Sequence, residues 1–140
     1  MAIEAAAPQF QIFGALAMGI IIGIVELAFV HADEAGMGWL KHGLHAFPVT
    51  IILTFIGMNV PYVTGLLGWS WLHGLTGKIL VSAAIGIVAT IKVKGAAAIT
   101  QGHGSVGEKF GHALIVGALI AASPWIWPFV EPMLPSFLKF

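Results

Sequence analysis

Long apolar stretches alternate along the chain with short clusters of charge, and the distances between those clusters set the elements it can form. Because a charge at mid-bilayer costs at least about 2.5 kcal/mol, the uncharged runs mark candidate membrane spans. The first, "FQIFGALAMGIIIGIV", is apolar on every side and predicts a helix over about 10–32 that encloses Glu26. A second run opens after Lys41 as "GLHAFPVTIILTFIGMNVPYVTGLLG" and predicts a helix over about 44–67, with Pro48 in its first turn. That helix should kink before Pro61, which offers no N–H to the carbonyl of Gly57. Between Lys78 and Lys92 only "ILVSAAIGIVATI" is available, about 20 Å of helix for a hydrocarbon core about 30 Å thick. Lysine stems that snorkel outward extend this span to about 75–93. The last run, "FGHALIVGALIAASPWIWPFV", predicts a helix over about 110–130 that bends or ends at Ser123-Pro124, followed by a proline-rich tail over 131–140.

These runs predict an all-α integral membrane protein: one membrane domain, 1–140, built as a four-transmembrane-helix bundle with both termini on the same side. The N-terminus lacks a positive n-region and its apolar run is longer than the usual 7–15 residues of a signal peptide, so it is expected to be a retained helix. Four crossings place the N-terminus, the turn at 68–74 and the tail on one side, A, and the other two loops on side B. Trp69, Trp71, Trp125, Trp127 and Tyr62 all fall near side A, as an interfacial aromatic belt would. Lys41, Lys92, Lys94 and Lys109 fall on side B, against Lys78 and Lys139 on side A. The positive-inside bias therefore makes loops 33–43 and 94–109 cytoplasmic.

Composition agrees: 59% of residues are hydrophobic and 9% charged, where a soluble domain carries about 25% charge. A formal charge of zero without arginine argues against a nucleic-acid-binding face. With no cysteine there are no disulfides, thiolate zinc sites or thiol catalysis. Three segments, "GWLKHGLHAFPVTII", "SWLHGLTGKILVSAAI" and "GEKFGHALIVGALI", each put Gly, His and Lys ahead of an apolar run. Polar interfacial residues before every span explain this more simply than duplication.

Lipid tails are as apolar as Leu, so helices must associate through close packing and polar contacts. Small residues recur on one face at Ala15, Gly19 and Gly23, with Glu26 continuing it, and again at Ser82, Gly86 and Thr90 and at Ala113, Gly117 and Ala121. Thr50, Thr54 and Asn59 add intramembrane hydrogen-bonding groups.

Candidate chemistry gathers on side B. His31, Asp33, Glu34, His42, His45, His103 and His112 fall there, with Glu26 deeper and His73 elsewhere. Imidazole with carboxylate suits a transition metal, and His31, Asp33, Glu34, His42, His45 and His112 are its candidate ligands; the competing reading is of ordinary interfacial histidines. His45 and His112, on different helices at similar depth, could instead ligate haem b, although both lie near the interface and no arginine is present for the propionates. Glu26 is a candidate proton or cation carrier, or a carboxylic acid hydrogen-bonded to a neighbouring helix. The glycine spacing in "GHGSVG" lacks any strand before it and is read as a loop. Three functions follow: a non-catalytic subunit of a larger membrane assembly or homo-oligomer, a metal- or haem-bearing redox subunit, and a small oligomeric channel or transporter with Glu26 and Asn59 along its path.

Overall fold

The computed structural model describes residues 10–33, 38–72, 74–100 and 109–135. Among them the chain is helical: α1 (Ile12–Asp33), α2 (Trp39–Met58), α3 (Val60–Leu66), α4 (Leu75–Thr100) and α5 (Phe110–Val130), with 3-10 turns at Ser70–Leu72 and Glu131–Met133. α1, the Leu75–Gly95 part of α4, and α5 with its final turn are each long and apolar enough to cross a membrane. The pair α2–α3, bent by 78°, makes a fourth such element if it is one broken span.

Small residues bring the helices together. A Cβ on Gly19 would lie 3.0 Å from the Cα of Ile51, and one on Gly23 would lie 3.0 Å from the Phe47 ring. The Ala15, Gly19 and Gly23 face of α1 is therefore applied to α2 of the same chain. In the second pair, a Cβ on Gly86 would lie 2.8 Å from both the Gly117 carbonyl and Ala121, and one on Gly117 would run into Thr90 and the Gly86 carbonyl. The two hairpins, α1–α2 and α4–α5, join through α1–α5, α2–α4 and α2–α5 contacts around Ile22, Val60, Val116 and Ile120. Ile20, Ile24, Ile52, Ile87 and Ile91 are left on the outside, the side chains a lipid-facing surface accommodates without cost.

Proline behaves differently here from its local expectation. α2 begins at Trp39, so Pro48 lies inside the helix and not in its first turn. The interruption falls at Asn59, two residues before Pro61, and at 78° it is a break and not a kink. Asn59 turns its N–H to the Ile56 carbonyl at 3.1 Å, and its side-chain Nδ2 donates to the Phe55 carbonyl at 2.9 Å. An unbroken helix would have given that carbonyl to the Asn59 N–H. Pro61 then starts α3, where a missing N–H is harmless. α3 closes in a Schellman motif: Gly68 takes a φ of +69° and donates to the Gly65 carbonyl at 3.1 Å, and Trp69 donates to that of Thr64 at 2.9 Å.

Conversely, α5 does not end at Ser123-Pro124; it carries Pro124 and Pro128 within it to Val130. Ser123 Oγ donates to the Ile120 carbonyl at 2.8 Å, the acceptor that Pro124 cannot serve. α4 also continues beyond Lys92 and Lys94, since charges limit burial in lipid and not helix formation.

The two ends of the bundle are chemically distinct. At one, here the A end, the ring of Phe10 meets those of Phe55 and Tyr62 at 5.4 and 4.6 Å, Trp127 lies against Gly14, and Lys78 Nζ sits 5.1 Å from the Trp125 ring centroid. At the other, the B end, the last residue of α1 meets the first turn of α5.

Candidate functional site

Ionisable groups cluster where α1 ends. Asp33 is its final residue, and its carboxylate projects onto the N-terminus of α5. Oδ2 accepts the Lys109 backbone N–H at 2.9 Å and lies 2.6 Å from His112 Nδ1, while Lys109 Nζ stands 3.2 Å from Oδ1. Lys109 occupies the N-cap position of α5 and has no capping side chain for that role. Asp33 serves as the cap from another helix, and its negative charge complements the positive end of the helix dipole. The Asp33 side chain is 1% exposed, against 70% for Lys109 and 26% for His112. Such a carboxylate needs its partners.

His112 is held on two sides. One turn before Asp33 on α1, the ring of Phe29 stacks on the imidazole with centroids 4.2 Å apart and planes 7° from parallel. With Nδ1 donating to the carboxylate, Nε2 keeps the lone pair in the neutral ring. This is the carboxylate-oriented imidazole common beside metals and in proton transfer.

His31 takes another direction. Two positions from Asp33, it points about 200° around the helix and stacks on Trp39 at the start of α2, with centroids 3.7 Å apart. Of the six expected metal ligands, the structure thus brings Asp33 and His112 together and turns His31 toward Trp39. Glu34 and the side chains of His42 and His45 lie outside the described residues, as does His103. Among the described residues no group of three His, Asp or Glu is arranged to hold a metal ion. For haem, Asp33 takes Nδ1 of His112 and so only Nε2 is left for ligation, and the side chain of the second candidate ligand, His45, falls outside the description.

Two turns deeper, about 10 Å along α1, Glu26 shares the inner face with Asp33. It is 2% exposed and accepts a hydrogen bond from the Thr50 hydroxyl of α2. Thr54 and Ser82 bury hydroxyls that have no hydrogen-bond partner among the described residues. Besides Phe55, Asn59 bonds both the N–H and the carbonyl of Gln11.

Sequence reasoning missed the roles of Lys109 and Phe29. The i,i+3 spacing of Lys109 and His112 was available as a signal for one helix turn, but nothing local announces that Phe29 and Asp33 reach across to it. Comparison with known families, characterised proteins and solved structures finds no match to this chain.

Proposed function

We propose that this chain is a non-catalytic helix-bundle subunit that acts in the membrane through lateral contacts with lipid and with other membrane subunits or further copies of itself. The observation that carries the reading is the use made of Asp33: the carboxylate described at the B end is committed to capping α5 and orienting His112. Asn59 and Glu26 are likewise engaged with neighbouring segments. At Asp33, Asn59 and Glu26 polar side chains fasten one segment to another, and the flanks offer broad aliphatic faces at Ile24, Ile52, Ile91 and Ile115. Photo-crosslinkers at those four positions in native membranes test this. Discrete protein adducts support the proposal; lipid adducts alone, with a monomeric mass after mild extraction, overturn it.

A second reading rests on Glu26. Its partner Thr50 is a hydroxyl, which donates to a carboxylate and accepts from a carboxylic acid, so the site can accommodate either protonation state. Proton uptake by proteoliposomes carrying the protein, abolished in Glu26→Gln, would establish a proton-carrying role; equal uptake by both would remove it. A metal or haem subunit would declare itself in the same preparation by stoichiometric metal or a Soret band.

A further inference from the structure

The break at Asn59 leaves a gap on one flank of the bundle. α2 stops at Met58 and α3 departs at 78°, so among the described residues the start of α4 is met on that side only by the short α3 and the 3-10 turn and not by a continuation of α2. The 3-10 turn Ser70–Leu72 lies at its A end. What remains is an open groove of about 370 Å3, with Leu53 on one wall, Leu80, Ala84 and Val88 along its floor, and Trp69 and Trp71 at its mouth. That volume lies within the range of about 300–1,000 Å3 typical of small-molecule sites. From Leu80 to Val88 the floor runs about 12 Å along the helix axis, parallel to the lipid chains of a surrounding bilayer.

The lining discriminates between occupants. The tightest helix contacts among the described residues bring a glycine against backbone, as Gly19 does on Ile51 and Gly86 on Gly117. Ala84 is the one small residue lining the groove, so a second helix could not approach closely there. A flexible hydrocarbon chain needs no such approach, and it restores the dispersion contacts that the lining atoms lack on their open side. Trp69 and Trp71, 46% and 76% exposed, carry indole N–H donors at the mouth, where headgroup oxygens accept them. Lys78, one turn before Val81 on α4, adds a cation at the same end, outside the lining itself, with its Nζ 5.1 Å from the Trp125 ring centroid.

We propose that this groove holds one acyl chain of a phosphate-bearing membrane lipid, whose headgroup lies against Trp69, Trp71 and Lys78. The bound lipid fills the space beside α4 that a straight continuation of α2 would have covered. The inference concerns a site that exists whether or not the bundle joins an assembly.

The test is retention of lipid. Protein reconstituted into vesicles of phosphatidylcholine and phosphatidylglycerol is re-extracted in mild detergent, washed, and weighed by native mass spectrometry. The wild type should keep about one phospholipid per chain, and Ala84→Phe or Val88→Phe, which fill the groove, should lower that occupancy about tenfold, a shift of about 1.4 kcal/mol. Ala118→Phe, at an exposed position of α5 away from the groove, should leave it unchanged. A thermal melt of each variant identifies any that has lost its fold, and the other groove variant then decides. Wild-type protein that emerges without lipid overturns the proposal, as does retention that both groove variants leave intact. Disulfide-linked dimers of Leu80→Cys in vesicles, formed without retained lipid, also overturn it and assign the groove to a second copy.

Discussion

The side-chain amide of Asn59 and the backbone of Gln11 form a reciprocal pair: Asn59 Oδ1 accepts the Gln11 N–H at 2.7 Å, and Asn59 Nδ2 donates to the Gln11 carbonyl at 3.1 Å. Gln11 immediately precedes α1, so the N–H involved belongs to a helix start that its own helix cannot satisfy. The same amide supports the Phe55 carbonyl released by the break in α2. One side chain, 1% exposed, thus makes the interruption of α2 tolerable and fastens the start of α1 to it.

Asn59→Leu should therefore destabilise the bundle by about 1–3 kcal/mol, because it leaves part-buried backbone groups unpaired on two segments. Thermal denaturation in detergent measures this. A sharper outcome distinguishes side chain from backbone at the partner: Gln11→Ala should be nearly neutral, since only its backbone is engaged, whereas Gln11→Pro removes the donor and should cost as much as one hydrogen bond, about 1 kcal/mol. Equal melting temperatures for Gln11→Ala and Gln11→Pro would contradict the pairing.

Why the break escaped a reading of the sequence follows from the same residue. Pro61 marks a place where a helix loses a hydrogen bond, and local rules put a kink before it. They cannot show that Asn59 will find Gln11, a partner 48 residues away, and that partner is what lets the chain turn fully. Pro124 is the converse: the local rule predicts a bend or a stop, yet Ser123 repairs the lost bond from the adjacent position. Small-residue spacing was more informative, because Gly86 and Gly117 report a face that must be approached closely whatever the partner is. At the B end, sequence reasoning collected the titratable residues but not their pairing. Asp33 and His31 are near neighbours in sequence and face different helices.

The Asp33–His112 contact predicts a fixed tautomer. In the native protein, nitrogen-15 spectra should show the neutral ring of His112 protonated at Nδ1, since that atom faces the carboxylate at 2.6 Å. Asp33→Ala should release the ring to a mixture of tautomers and cost about 1.5–3 kcal/mol, the range for hydrogen bonds to a charged group. His112→Ala should cost less, because Asp33 would keep the Lys109 N–H. A ring protonated mainly at Nε2 in the wild type would be incompatible with this geometry.

Glycines in contact and glycines in open space should respond oppositely to the same substitution. Gly117→Ala places a methyl group against Thr90 and the Gly86 carbonyl, and overpacking of this kind costs about 1–3 kcal/mol. Gly111→Ala, where a Cβ meets nothing within 4 Å, should be neutral or stabilising by about 0.5–1 kcal/mol through reduced freedom of the unfolded chain. Gly19→Leu should be more damaging than either, because it drives α1 from Ile51. Melting temperatures of the three variants, compared in one detergent, check the order.

Membrane sidedness is the prediction with the widest consequences, since it decides whether α2–α3 is one broken span or a re-entrant loop. Gly38 and Ser70 stand before and after that pair, are both exposed, and can be replaced by cysteine in a chain that has none. If the pair crosses the bilayer, an impermeant maleimide applied to intact cells should label Ser70→Cys directly and Gly38→Cys only after permeabilisation. The direction follows from lysine: Lys41, Lys92, Lys94 and Lys109 lie toward the Gly38 end, against Lys78 toward the other among the described residues, and the positive-inside bias keeps the richer end in the cytoplasm. Opposite labelling with reversed sides would leave the broken span intact and refute only the orientation. Labelling of both positions from one side would make α2–α3 re-entrant and reduce the crossings to α1, α4 and α5. In that case Asn59 would mark the turning point of a loop within the membrane, held there by Gln11.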